Sequence, residues 1–204
     1  MFLNHTKWGW FLLVIGIVYS LLIFEGPLRD FSQNNNDPFL VMAILNKNNE
    51  TKNYFPNEEN LILLNETIKW HIYLHNQPTT SVNMKIKTKI ISDIDELPDS
   101  INCIPSPRPE IYNIEQKIDG KSIKIIPFYW KITQISHNET HSIIKSIEIN
   151  EEDIDCEITT SINSDFRIIF ELWVNEPDTN SFVFKWKSRE ESQCIWNYIR
   201  FKAK

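Results

Sequence analysis

His137, Glu139 and His141, two imidazoles four residues apart with a carboxylate between them, come closest in this sequence to a metal-binding constellation. On a helix that spacing turns both rings to one face and toward a single ion. Ser136 to Ser142, however, reads as a loop between strands, so solvated loop histidines are favoured and no metal or other cofactor is expected. His71 and His75 share one face of a strand and stand about 13 Å apart at roughly 3.3 Å per residue, too far for one ion. The acidic groups Asp93, Asp95, Glu96 and Asp99, and Glu151, Glu152, Asp153 and Asp155, lack the spaced, glycine-containing pattern of a calcium loop. A glycosidase needs two acids facing one cleft, and nothing marks out two of the 27 acidic residues.

Glycine usage narrows the chemistry further. The chain has four glycines, and Gly9, Gly16 and Gly26 fall in or beside an apolar N-terminal run, which leaves Gly120 alone in the remainder. Phosphate-cradling loops, dinucleotide turns and nucleophile elbows all depend on glycine clusters, so no catalytic residue is nominated and no catalysis is expected of the chain itself. Three cysteines, Cys103, Cys156 and Cys194, permit one disulfide in three pairings. Cys156 and Cys194 each open an expected strand, which favours that pair against three free thiols. Asn49-Glu50-Thr51, Asn65-Glu66-Thr67 and Asn138-Glu139-Thr140 are glycosylation sequons at or near turns. Phe182, Phe184, Trp186 and Trp196 carry more aromatic surface than one core need bury, so they are the candidate interaction residues, with an internal stripe as the alternative.

The element that positions all of these is Trp8 to Phe24, WGWFLLVIGIVYSLLIF, which contains no charge. At 1.5 Å per helical residue it covers roughly 26 Å, near the lower limit for crossing a bilayer. Val18-Tyr19-Ser20 is a poor cleavage site because Leu21 to Phe24 prolong the apolar run, so an uncleaved signal anchor is expected over 8–24, behind a short tail over 1–7. Lys7 and Arg29 balance the positive-inside bias. The N-terminus is nevertheless expected inside and the large domain outside, as in a single-pass cell-membrane protein. Residues 25–37, polar and asparagine-rich, read as a flexible linker, and 38–204 as one extracytoplasmic domain. A formal charge of −6 and a pI near 5.4 lack the basic footprint that nucleic acid demands. A protein partner at the membrane or in an envelope layer is expected instead.

Within 38–204 the pattern is that of strands. Phe39 to Leu45 is a continuous apolar run, as in a strand buried on both faces. In Thr67 to His75, Ile68, Trp70, Ile72 and Leu74 alternate with polar residues. Val82, Met84, Ile86 and Ile90 repeat the pattern, opposite a wet face carrying Lys85, Lys87 and Lys89. The short Asn76-Gln77-Pro78 connection makes a hairpin of the two. Further strands are expected over 111–118, 122–132, 142–149, 156–162, 166–174, 182–186 and 194–201, with Phe166 to Val174 central. About ten strands and no amphipathic helix argue an all-β, immunoglobulin-like antiparallel sandwich, enlarged beyond the usual size, behind one N-terminal transmembrane helix.

Phe39 to Leu45, then Tyr54-Phe55-Pro56, then Trp70 to Asn76 as WHIYLHN, with Phe170-Glu171-Leu172-Trp173 later, resemble an archaeal membrane-protein family, domain of unknown function 1616. The resemblance spans most of 38–204 and implies a β-rich extracytoplasmic domain on a membrane anchor. It carries over no catalytic residue. The expected function is a membrane-anchored binding or assembly module of the cell surface. The alternatives are an accessory subunit of a membrane enzyme complex and a carbohydrate-binding or carbohydrate-hydrolysing surface domain.

Overall fold

A computed structural model describes residues 40–57, 60–162, 164–188 and 191–204. The expected tail, signal anchor and linker lie outside the described residues. Among the described residues no helix is long and apolar enough to cross a membrane. Thirteen strands appear among them, with one 3-10 turn at Ile94–Glu96 and no α-helix. Pro38–Lys204 forms one compact unit.

The first sheet runs, in order, β1 (Leu40–Leu45), β3 (Ile68–Asn76), β6 (Ser122–His137), β7 (His141–Ile149) and β8 (Glu152–Ser161). The second runs β2 (Leu61–Ile62), β13 (Ile195–Ala203), β9 (Phe166–Glu176), β4 (Val82–Ile91) and β5 (Tyr112–Ile118). β10 (Ser181–Val183) continues the row of β13 along β9, and β11 (Trp186–Ser188) pairs only with β12 (Glu191–Gln193). All pairings are antiparallel except that of β2 with β13.

Period-two alternation built this arrangement, because each sheet has one apolar face and the two faces must close on each other. Ile68, Trp70, Ile72 and Leu74 of β3 are all buried, as are Met84, Ile86 and Ile90 of β4. Trp70 is the hub: its ring lies 5.2 Å from Trp130, 5.6 Å from Phe55 and 6.2 Å from Phe170 of the opposite sheet. Its Nε1 donates to the Tyr54 carbonyl at 2.8 Å, which satisfies the one polar atom that so large a buried side chain brings inside. β9 is central, as its nearly unbroken apolar run predicts.

Two expectations are corrected. β3 and β4 do not form a hairpin: β3 pairs with β1 and β6, whereas β4 pairs with β5 and β9 in the other sheet. Alternation says that each strand has one buried face, and two strands facing across a core satisfy that as well as two strands side by side. The corner between them is pinned by Asn76, whose Nδ2 donates to the carbonyls of Thr80, Ile118 and Asp119 at 2.8, 3.2 and 3.0 Å. Gly120 lies against the same corner, where a Cβ would stand 1.9 Å from the Thr79 carbonyl oxygen, so only glycine fits. β1, read as buried on both faces, is an edge strand; its apolar run is explained by β13 lying beside it, with Asn197 Nδ2 donating to the Met42 carbonyl at 3.0 Å.

Candidate functional site

β4 ends at Ile91 and β5 begins at Tyr112, and the 20 residues between them form a strap against the outward face of the second sheet. That face carries a charge in its interior. Lys89 and Glu171, on neighbouring strands, are almost completely buried, with Lys89 Nζ 3.1 and 3.0 Å from the two carboxylate oxygens. Burial of an ion pair is tolerable only when the remaining donors and acceptors are also satisfied, and the strap does this. The Ser106 carbonyl accepts from Lys89 Nζ at 2.7 Å and the Ser106 amide donates to Glu171 Oε1 at 2.7 Å. Trp173 Nε1 donates to Glu171 Oε2 at 3.1 Å. Lys89, expected on a wet face, is therefore under the strap.

Further out, the strap is held to β13. Cys103 and Cys194 form a disulfide with Cα atoms 5.6 Å apart, and Trp196 Nε1 donates to Ser100 Oγ at 3.0 Å. This corrects the expected Cys156–Cys194 pair. Cys156 does not open a strand but lies in the middle of β8, at the edge of the first sheet, whereas Cys194 precedes β13 of the second. Cys156 is free and half-buried; burial, then the neighbouring Asp155 charge, push its thiol up to about 11. Such a thiol is a poor nucleophile near neutral pH.

Between these anchors the strap folds into a closed turn. The Asp99 and Ile104 amides donate to each other's carbonyls at 2.9 and 3.1 Å. The Asp99 carboxylate accepts from the amides of Ile101 and Asn102 at 2.8 and 3.0 Å and from Asn102 Nδ2 at 2.6 Å. These bonds, that of the Asn102 side chain first, hold the Asp99 carboxyl below its ordinary range. At the tip Ile101 is 93% exposed, with Ile94 and Ile104 of the same strap also exposed. The strap carries five acids, Asp93, Asp95, Glu96, Asp99 and Glu110, and one base, Arg108, which pairs with Glu96. Glu110 is held by Lys87 at 3.0 Å, and Lys87 also lies 3.9 Å over the Trp173 ring.

The aromatic residues nominated from the sequence divide. Phe184 and Trp186 are buried and leave the candidate interaction surface; the expected strand over 182–186 is broken at Phe184-Lys185, and the two rings are buried in different places, Trp186 against the core and Phe184 onto Trp173 on the outward face of the second sheet. Phe182 is half-buried beneath Lys85 Nζ at 4.7 Å, and Trp196 is half-buried, stacked on Tyr198 and tied to the strap. His137 and His141 flank the β6–β7 turn, His137 Nδ1 sharing a hydrogen bond with Ser142 Oγ and His141 Nδ1 with Thr140 Oγ1. Among the described residues no group of three or more His, Cys, Asp or Glu side chains is gathered to hold a metal. Asn49, Asn65 and Asn138 all sit exposed in or beside turns, the Asn138 Oδ1 accepting from the Thr140 and His141 amides.

The sequence reading missed Cys103 as the disulfide partner, and missed the Lys89, Glu171 and Ser106 arrangement. Glu171 carried a signal: a lone carboxylate within FRIIFELWV, a run expected to be central, requires a buried partner.

No family model matches the chain, and no match is found among curated proteins. Among solved structures, the CARDB domain of a Pyrococcus furiosus protein, crystallised in complex with di-metal ions, aligns with 82% of this chain and 94% of its own at 12% identity and a TM-score of 0.39. A likeness of that size assigns neither fold family nor ligand here.

Proposed function

We propose that this chain is a membrane-anchored, extracytoplasmic binding module, of the kind that the resemblance to domain of unknown function 1616 implies. Its sandwich is of immunoglobulin-like type. β3 and β6 stand in one sheet and β4, β9 and β13 in the other, and the first-edge strand is divided between β1 and a short β2 parallel to β13. Its disulfide departs from the antibody pattern, joining a strap to β13 rather than sheet to sheet.

The observation that carries the proposal is the Cys103–Cys194 disulfide, closing a separation of 91 residues. Such bonds persist in oxidising compartments and are rare in a reducing cytosol, which supports an outer location for 38–204 and an N-terminus inside. The uncharged run over 8–24 supplies the anchor. The disulfide-braced strap presents exposed aliphatic side chains at Ile94, Ile101 and Ile104, which supports docking as the mode of action. Protease added to intact cells should remove the domain while leaving cytoplasmic markers whole. A protected domain, or three thiols that are all alkylated without a reductant, would sink the reading.

A further inference from the structure

The outward face of the first sheet is apolar where a sheet turned to water would be polar. Register places Val41, His75 and Ile123 side by side across β1, β3 and β6, with Ala43, Tyr73 and Ile125 in the next row of that face. Farther along, Tyr129 stands beside Lys69, whose Nζ lies 5.9 Å from the centre of its ring. Ile123, Ile125 and Tyr129 are 56, 49 and 40% exposed. Strand backbones hold these side chains in one plane, so they cannot fold away from water, and a contiguous patch of this kind marks a surface that meets something apolar. β1, β3 and β6 also contain no carboxylate at all, in a chain with 27 acidic residues.

The point at which the chain enters this face says what covers it. β1 is the edge strand of the face and Leu40 is its first residue. Only residues 25–39 separate it from the uncharged run over 8–24. A chain of that length has a root-mean-square reach of about 20 Å, at 5 to 6 Å times the square root of length. A face tied at that distance from a bilayer meets its surface at a high effective concentration, so each exposed side chain need contribute little for the contact to persist. The chemistry fits as well. Aliphatic side chains and tyrosine suit the boundary between headgroups and acyl chains, and three strands without a carboxylate offer lipid phosphates nothing to repel. The strap, on the opposite side of the sandwich, carries five acids and one base.

We infer that the outward face of the first sheet rests on the membrane that anchors the chain, with Ile123, Ile125 and Tyr129 entering the headgroup boundary. The inference rests on the proposed anchor and deepens that reading by giving the domain an orientation. Because the strap crosses the outward face of the other sheet, this seating turns Ile101 and its neighbours away from the bilayer, toward a protein partner.

The full chain in phosphatidylcholine vesicles tests it. In a Cys156→Ser background, a bimane fluorophore is attached at Ile125→Cys or, on the strap, at Ile94→Cys; both side chains are exposed, so circular dichroism should stay that of the parent. Doxyl groups carried near the lipid headgroup should quench the probe at position 125 roughly threefold or more as strongly as the probe at position 94, since only the first face meets lipid. Adding Ile123→Asp and Tyr129→Asp should bring quenching at position 125 down to that at position 94, which a face merely held nearby by its tether would not show. Equal quenching at the two positions, or quenching at position 125 that the aspartates leave untouched, would overturn the inference. So would a probe at position 125 that lipid does not quench in vesicles and that is shielded from iodide in the native membrane, which would assign the face to a protein. Carbonate-resistant flotation with the vesicles reads the anchor separately. A chain that floats with an unquenched probe at position 125 defeats the seating and leaves the proposed function standing; a chain that does not float defeats both.

Discussion

The two sheets bury equivalent apolar faces against each other and treat their other faces in opposite ways. Outside the first sheet, the β3 row of Lys69, His71, Tyr73 and His75 lies beside Ile123, Ile125, Pro127 and Tyr129 of β6, and Ile123, Ile125 and Tyr129 are exposed. Outside the second sheet, the strap turns what would be a wet face into an interior, with Lys89 and Glu171 sealed inside it. A strand face is thus made polar or apolar by what crosses it as much as by its own residues. The difference should also be energetic: exposed positions of the first face are expected to tolerate substitution, while the second holds charges that must stay paired.

The sharpest way to break that contrast is Glu171→Ala, which strands the Lys89 ammonium and leaves the Ser106 amide and the Trp173 indole unpaired. Denaturant titration is expected to find a loss of about 3 to 5 kcal/mol. Replacing both partners, Lys89→Met with Glu171→Leu, should cost less, because no charge is left buried and the remaining loss is that of partners for the Ser106 amide and carbonyl and the Trp173 indole. A small loss for the single change would mean that the strap does not seal the pair.

Next in size is Cys103→Ser, expected to cost about 2 to 4 kcal/mol by releasing a long loop in the unfolded chain. The same loss should follow addition of a reductant to the parent, and the reductant should then leave the variant unaffected.

Smaller still is the effect of acid on the Ile101 turn. The folded Asp99 carboxyl titrates below its unfolded value, so its contribution is present above the unfolded range and is lost as pH falls through the folded one. Amide exchange at Ile101 and Asn102, corrected for the intrinsic rate, should quicken below the ordinary carboxylate range, and Asp99→Asn should flatten that dependence. The smallest effect belongs to the first sheet: Ile125→Ser should change stability by no more than about 0.5 kcal/mol. A larger loss would show that this face is covered in the folded protein.

Much of the fold was legible in the strands themselves. The alternation of Ile68, Trp70, Ile72 and Leu74 named the inward side chains of β3, and the density of FRIIFELWV named β9 as central, because burial on one face or two leaves a direct trace in residue type. Pairing left no such trace. The Asn76-Gln77-Pro78 connection suits a hairpin as well as a sheet-crossing corner, and only the three carbonyls gathered by Asn76 distinguish them. Lys89 was illegible for a related reason: its neighbours Lys85 and Lys87 obey the same alternation with their side chains partly exposed, and the strap that buries Lys89 belongs to a segment without periodicity. In the strap, Cys103 lies in no expected strand, and strand position alone therefore points to the other two cysteines.

Disulfide mapping tests this account most directly. Protein recovered from its own host, alkylated without a reductant and digested, should yield a Cys103–Cys194 linked peptide that separates on reduction. Cys156 should carry no link, and in the folded protein near neutral pH it should alkylate slowly, as its raised pKa requires. A peptide joining Cys156 to Cys194, or three cysteines all alkylated at the outset, would contradict the strap's attachment and with it the outer location that this bond supports.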